Sequence, residues 1–267
     1  MYPVLLHLPF GIAVYSYGTA LCASVVLGQA LAIRLATRRG LDAADLQRCC
    51  FWALGGAFVG ARLLYVVTNL QSFDSLAGAL RWWDGGVVAY GGFLGGFAGA
   101  AAYCARHDVA FAEWIDCAAP SLALGLALTR VGCFLAGCDF GTPWNGAWAV
   151  RFPAGSPAFT QQVAQGLIPS TALQSLPVHP TQLYESIAGL TLLAVVAFVR
   201  RRRAFAGQAF ATFALGYAIF RSAIEVVRAD LDRGGFGMLS TSQWIAAATF
   251  CAVVAFWWTR DAHRLPA

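Results

Sequence analysis

Arg130 lies in Ser121-Leu-Ala-Leu-Gly-Leu-Ala-Leu-Thr-Arg130-Val-Gly-Cys-Phe-Leu-Ala-Gly137, a stretch with no other charge that is long enough to cross a bilayer. A guanidinium at membrane depth costs several kcal/mol, so it faces a polar cavity, a charged partner or an anionic substrate. The anomaly recurs at Arg221, Glu225 and Arg228. Together with Tyr217 these are spaced four, four and three apart, which places them on one face of a helix. A Glu between two Arg leaves that stripe with a net positive charge, and an anion is its natural missing partner. The structural alternative is a self-contained Arg-Glu-Arg ladder near the outer interface, with Arg228 reaching water along its aliphatic stem. Arg221 sits deeper and fits that alternative less well. Two permanently cationic forks, Arg130 and Arg221, at similar outer depth make a phosphate clamp, and the phosphate most available there belongs to a phospholipid headgroup. Every one of the 18 basic side chains is arginine, which excludes catalysis through lysine.

Two further motifs carry polar groups into span entrances. Tyr90-Gly91-Gly92, followed by Gly95-Gly96, opens one apolar run. Such glycine density reads first as close helix packing, with Tyr90 able to hydrogen-bond a headgroup at the entrance. His179-Pro180-Thr-Gln182-Leu-Tyr184-Glu185 opens another, its proline suited to helix entry. Here His179 and Glu185 read either as acid–base groups or as interfacial capping and anchoring groups.

The elements that must position these residues are membrane spans. With 59% hydrophobic residues, 12% charged residues and a mean hydropathy of +0.63, the chain is too apolar for a soluble domain of its length. At about 20 apolar residues per crossing, seven helices are expected near 10–33, 50–69, 86–105, 115–137, 183–199, 208–228 and 241–259. They form an all-α, polytopic, single integral membrane domain over 1–267, with no internal repeat. The start of the chain lacks the basic region and cleavage site of a signal peptide, so the first span is expected to be retained. Arginine-rich joints at 34–48, 106–107, 200–203 and 260–264 fall on one side if the spans alternate. That puts the C-terminus in the cytoplasm and the N-terminus outside. Trp82, Trp83, Trp144, Trp148 and Trp244 then lie at the opposite interface. The net charge of +5 therefore reflects topology, and no nucleic-acid surface is read.

The longest joint, Cys138 to Thr181, is expected outside as an ordered periplasmic arm between the fourth and fifth spans, entered through Gly132, Gly137 and Gly141. The eight cysteines form no disulfide framework. Cys133 and Cys138, five apart, are read onto different faces of a helix, with packing roles and no metal site. No cofactor is expected.

In their order along nearly the whole chain, several segments resemble the bacterial prolipoprotein diacylglyceryl transferases: Leu35-Ala-Thr-Arg-Arg39, Gly60-Ala-Arg62-Leu-Leu-Tyr65, Trp83-Asp-Gly-Gly86, Tyr90-Gly-Gly92, Arg130-Val-Gly-Cys133-Phe134, Gly141, His179 to Glu185, and Tyr217 to Arg228. The resemblance implies a seven-span inner-membrane enzyme that moves diacylglyceryl from phosphatidylglycerol to the lipobox cysteine of a preprolipoprotein signal peptide and releases glycerol phosphate. It implies that the two essential arginines are Arg130 and Arg221, the functional tyrosines Tyr17 and Tyr217, and the essential glycine Gly141. His179 and Arg228 join Tyr17, Arg130 and Gly141 as expected substrate-binding residues, and Tyr90 and Glu225 join Arg130, Arg221 and Tyr217 as expected catalytic ones. The chain departs from the family pattern at four positions. Tyr90 stands where the family reads His, a proposed base, and Cys133, Ala136 and Cys138 replace Asn, Asn and Glu, with Asp139 following. Asp139 or Glu225 is then a candidate replacement base. A paralogue that binds phospholipid with lost or altered chemistry is the alternative. A carrier or channel ranks behind both, because no ladder of charges crosses the whole membrane depth.

Overall fold

Apolar runs of this length form helices because a chain in lipid must satisfy its own backbone hydrogen bonds. A computed structural model describes the chain except residues 12, 74, 80, 82–84, 230–234, 237–238 and 263–267. Trp82, Trp83, Asp84 and Arg264 therefore lie outside the described residues. The long helices are α1 (Ser16–Thr37), α2 (Ala43–Thr68), α4 (Ala89–Arg106), α5 (Phe111–Ala136), α7 (Thr181–Arg202), α8 (Gln208–Ile224) and α9 (Thr241–Ala262), with short α3 (Leu76–Ala79) and α6 (Pro157–Ala164) between them. A helix thus occupies each of the seven expected positions, and those at α1, α2, α5, α7 and α9 are long and apolar enough to cross a membrane. The protein is mostly helical. Two small antiparallel hairpins interrupt the helices, β1 (Val4–His7) with β2 (Ala13–Tyr15) and β3 (Gly235–Phe236) with β4 (Leu239–Ser240).

Three boundaries differ from the sequence expectation. The first helix begins at Ser16 because residues 4–15 are used by the β1–β2 hairpin. The second begins at Ala43, where Asp42 caps it by accepting from the Ala44 N–H at 3.0 Å, so much of the expected 34–48 joint is helical. The sixth ends at Ile224. Arg228 therefore leaves the helical face it was expected to share with Tyr217, Arg221 and Glu225.

The described chain divides into two compact units. In the unit of residues 32–117, α2 and α4 pack along a seam of glycines. A Cβ at Gly60 would overlap the Gly91 carbonyl, and one at Gly95 would overlap the Gly56 carbonyl and lie 2.9 Å from the Gly60 Cα. The glycine-rich entrance is thus a helix-packing surface, as expected for small residues in a membrane. Arg62 is buried in this unit and donates to the carbonyls of Ala79 (2.9 Å), Arg81 (2.7 Å), Gly86 (2.9 Å) and Gly85, tying the loop after α3 to α2.

In the unit of residues 1–31 and 118–267, α7 approaches α5 closely. Ser186 Oγ donates to the Ala127 carbonyl at 3.0 Å, and a Cβ at Gly189 would lie 2.8 Å from Ala127 N. The joint after α5 is ordered around its own core of Phe140, Phe152, Ala158 and Val178. Ser156 caps α6 with Pro157 in its first turn, and bridges join Pro143 and Val150 to Val178 and Pro153 to Gln174.

Candidate active site

The site is assembled where α5 ends. Gly137, at φ +81°, reverses the chain in the left-handed region that glycine enters without strain, and the N–H groups of Gly137 and Cys138 both bond the Cys133 carbonyl (2.8 and 3.2 Å). Asp139 follows at φ 58°, a conformation that Asp tolerates better than most residues. The first turn of α7 holds this reversal from the other side: Gln182 Nε2 donates to the Cys138 carbonyl at 2.7 Å, and Thr181 Oγ1 to the Asp139 carbonyl at 2.6 Å. Gly141 is needed for the next step. Its N–H bonds the His179 carbonyl at 3.0 Å and it bridges to Arg228, and any Cβ there would lie 2.5 Å from the His179 Cβ and 2.8 Å from the Val227 carbonyl oxygen. Three segments distant in sequence, 140–142, 178–179 and 227–229, are thereby drawn together.

Their side chains close a ring of charges. Arg130 Nη1 donates to Asp139 Oδ2 at 2.7 Å, Arg228 Nη2 donates to Asp139 Oδ1 at 2.6 Å, and Arg228 Nη1 donates to Glu185 Oε1 at 3.1 Å. Arg130 Nε completes it 2.5 Å from Glu185 Oε2, an ion pair whose alignment is not that of a hydrogen bond. Glu185 and Arg228 are buried, with side chains 2% and 6% exposed, while Arg130 is 17% and Asp139 30% exposed. Burial alone would raise the Asp139 carboxyl, but Arg130 and Arg228 hold it below the usual carboxylate range. It is thus an ion-pair partner and a poor base. One turn down α8, Arg221 pairs with Glu225 and donates through Nη2 to Ser242 Oγ at 3.0 Å. The charge of Arg221 also reaches Glu185.

The geometry corrects the expected charge pattern. Arg228 does not snorkel to water; it lies beyond the end of α8, is buried, and bonds Asp139 and Glu185 in the ring. Among the described residues Arg130 and Arg228 face Asp139 and Glu185, and Arg221 faces Glu225, so carboxylates accompany the arginines where a net positive stripe was expected. Among the described residues Arg130 uses Nε and Nη1 only, and its Nη2 edge remains for an incoming acceptor. Cys133 and Cys138 are also corrected. The reversal at Gly137 folds Cys138 back over the helix end, so both sulfurs and an Asp139 oxygen lie within 4.8 Å of one another.

The remaining expected residues are placed as follows. Tyr17 runs past Gly132, whose added Cβ would be 3.3 Å from the Tyr17 Cα, and its phenol is within electrostatic reach of Asp139 and Arg130. Tyr217 stacks on Phe213 one turn above Arg221. His179 lies face to face on Trp144, ring centres 4.3 Å apart, with Nδ1 3.3 Å from the Tyr184 hydroxyl. Burial pushes its imidazole below the ordinary value. Tyr90 is half-buried in the first turn of α4, in the other unit. Sequence reasoning undervalued Glu185 and Asp139. Glu185 had a signal, since Thr181, Gln182, Glu185, Ser186 and Gly189 form a polar and small stripe on α7 that faces inward. Beside the site, an open-sided apolar cleft of about 460 Å³ runs between α7 and α8, lined by Tyr184, Ile187, Thr191, Leu192, Gly216 and Phe220.

Comparison with known proteins agrees with this architecture. The family model "Prolipoprotein diacylglyceryl transferase" matches residues 3–259. A phosphatidylglycerol–prolipoprotein diacylglyceryl transferase of Clostridium tetani is 30% identical over 249 residues, covering 93% of this chain and 94% of the relative. Relatives of the same name from Gloeobacter violaceus (33% identical; 93% of this chain and 89% of the relative) and Thermus thermophilus (33%; 80% and 79%) are similar too. A match over nearly the whole length, on a mostly helical chain with several helices long and apolar enough to cross a membrane, leaves one conclusion: the chain belongs to the prolipoprotein diacylglyceryl transferase family.

Proposed function

We propose that this protein transfers diacylglyceryl from phosphatidylglycerol to the lipobox cysteine of a preprolipoprotein, as the names of its relatives describe for them. The observation that carries this reading is the Arg130 environment: a half-buried guanidinium held by Asp139 and Glu185 with its Nη2 edge unused among the described residues. A phosphate oxygen fits that edge. The apolar cleft between α7 and α8 suits acyl chains, and its lining residues Tyr184 and Phe220 immediately precede Glu185 and Arg221 in the chain.

In this reaction the acceptor sulfur attacks the glycerol carbon that bears the phosphate ester. The carbon–oxygen bond breaks, glycerol phosphate leaves, and the thiol proton is passed on. Fixed cations at the phosphate lower the barrier because they stabilise charge that grows on the leaving group without having to reorient. Arg130 and Arg221 take that role, Arg228 and Glu185 hold Arg130 in place, and Tyr17, Tyr217, Gly141 and His179 line or brace the approach of the headgroup. Glu225 is assigned to proton handling, and Tyr90 keeps a catalytic assignment on its match to the family's motif alone. The frame is a seven-span domain of the inner membrane with the 138–181 arm outside and the C-terminus in the cytoplasm, supported by the arginine-rich joints.

The test is transfer of labelled diacylglyceryl from phosphatidylglycerol vesicles to a lipobox peptide by the purified protein. Thioether-linked product supports the reading. Phosphatidylglycerol binding without product would favour a lipid-binding paralogue with altered chemistry, the reading that the replacements at Tyr90, Cys133 and Cys138 motivate.

A further inference from the structure

Cys133 and Cys138 remain outside the roles assigned so far. The reversal at Gly137 fixes the relation between them through two bonds to the Cys133 carbonyl, and Cys138 Sγ itself lies 3.8 Å from that oxygen. Asp139 is the next residue, so two sulfurs and a carboxylate oxygen converge within 4.8 Å. In a tetrahedral zinc site, with Zn–S of about 2.3 Å and Zn–O of about 2.0–2.2 Å, such donors stand roughly 3.5–3.8 Å apart. The present spacing therefore closes onto an ion with shifts of about 1 Å or less. Cys138 and Asp139 are half-buried, which leaves an entry path, while Cys133 is buried.

The charges around the cluster select a dication. Arg130 and Arg228 are already neutralised by Asp139 and Glu185. Two thiolates add two negative charges and a divalent ion cancels both, so the metal enters the apolar interior without a net charge to desolvate. Two thiolates and one carboxylate bound to the ion carry a net negative charge, and Arg130 Nη1, 2.7 Å from Asp139 Oδ2 and 3.9 Å from Cys133 Sγ, then stands as a favourable outer partner. Sulfur donors exclude calcium and magnesium and favour a borderline-soft ion.

We propose that Cys133, Cys138 and Asp139 form a three-ligand site for a divalent cation of the zinc class, with its fourth position available to an exogenous ligand beside Arg130. Binding breaks two S–H bonds, releases both protons to solvent and forms two metal–sulfur bonds and one metal–oxygen bond. On the transferase reading, on which this part rests, the fourth ligand is the acceptor cysteine. Its thiol proton is released on coordination and passes to solvent through the proton-handling group assigned above, and the sulfur is held as a thiolate beside the phosphate leaving group.

The experiment is cobalt(II) titration of the full-length, reduced, chelator-treated protein in detergent. One equivalent is expected to give a thiolate-to-cobalt charge-transfer band and the visible bands of a tetrahedral site, both lost when zinc(II) is added. Cys138→Ser and Asp139→Asn lose or weaken the spectrum, whereas Cys49→Ser/Cys104→Ser keeps it, which separates this site from the other close thiol pair, 3.8 Å apart. No charge-transfer band in the reduced unmodified protein overturns the proposal whatever the variants do. So does a band that survives Cys133→Ser/Cys138→Ser. The same preparation is assayed for transfer before and after chelation. A cobalt spectrum with no transfer keeps the metal site and rejects the transferase reading, while transfer unaffected by chelation, with no spectrum, does the reverse.

Discussion

Glu185 faces Arg130 and Arg228 together and lies within electrostatic reach of Arg221, so one buried carboxylate serves more than one cation. Removing its charge leaves buried guanidiniums half-compensated. Glu185→Gln is therefore expected to destabilise the fold by about 3 kcal/mol, read as a lower unfolding temperature in detergent, as well as to abolish transfer. Arg130→Lys keeps the charge and loses the fork that meets Asp139, Glu185 and a phosphate at once. Transfer is expected to drop about 100-fold or more with much less loss of stability, measured on thermally intact protein. His179 gives a pH signature. Burial lowers its imidazole, so the unfolded chain takes up a proton before the folded one does. Stability is full above the ordinary imidazole value and declines as pH falls through the lowered value. His179→Gln should flatten that acid-side decline, and an unchanged profile would assign it to other groups. At this scale the sequence made Arg130 and Arg221 plain, since a charge in an apolar run needs a cause. Glu185 stayed ambiguous because a carboxylate beside a helix end has an ordinary capping role, and Asp139, a candidate base in the sequence, is turned onto Arg130 and Arg228 by the reversal at Gly137.

The helices show which local patterns survive folding. The glycines of α2 and α4 were legible as a packing seam, and the structure spaces them so tightly that a single methyl is too much. Gly95→Ala should cost about 1–3 kcal/mol by forcing the Gly56 and Gly60 backbones away. Gly55→Ala, on the partner helix α2 but with open space at its Cβ, should be neutral or stabilising by up to about 1 kcal/mol. Equal losses at both positions would show that the seam does not set the packing. Periodicity misled at two places, for one reason. Continuing the helical spacing past Ile224 put Arg228 on the face of Arg221, and continuing it past Ala136 put Cys133 and Cys138 on opposite faces. A helical face has meaning only up to the residue where the helix stops, and those stops are set by tertiary bonds: Thr142 N–H to the Val227 carbonyl after α8, and Gln182 and Thr181 onto the turn after α5.

For the molecule as a whole, hydropathy located a helix at every expected span, and the order of motifs pointed to the family, because both depend on composition over many residues. The meeting of 140–142, 178–179 and 227–229 was not legible, since it rests on backbone pairing between segments that no local pattern links. The orientation is open to direct measurement. With native cysteines replaced, Leu173→Cys in the arm should react with a membrane-impermeant maleimide in spheroplasts, and Arg203→Cys, at the end of α7, only after lysis. Reaction of both without lysis would reject the proposed topology. The ring of charges also fixes an order of events during synthesis. Arg130, Asp139 and Glu185 leave the ribosome before Arg228 exists, so for the time needed to make the last 43 residues of that interval Asp139 and Glu185 share a single ring cation. Until Arg228 has emerged the two ring acids of the nascent chain face one ring cation, so the ring can close only after this late residue joins it.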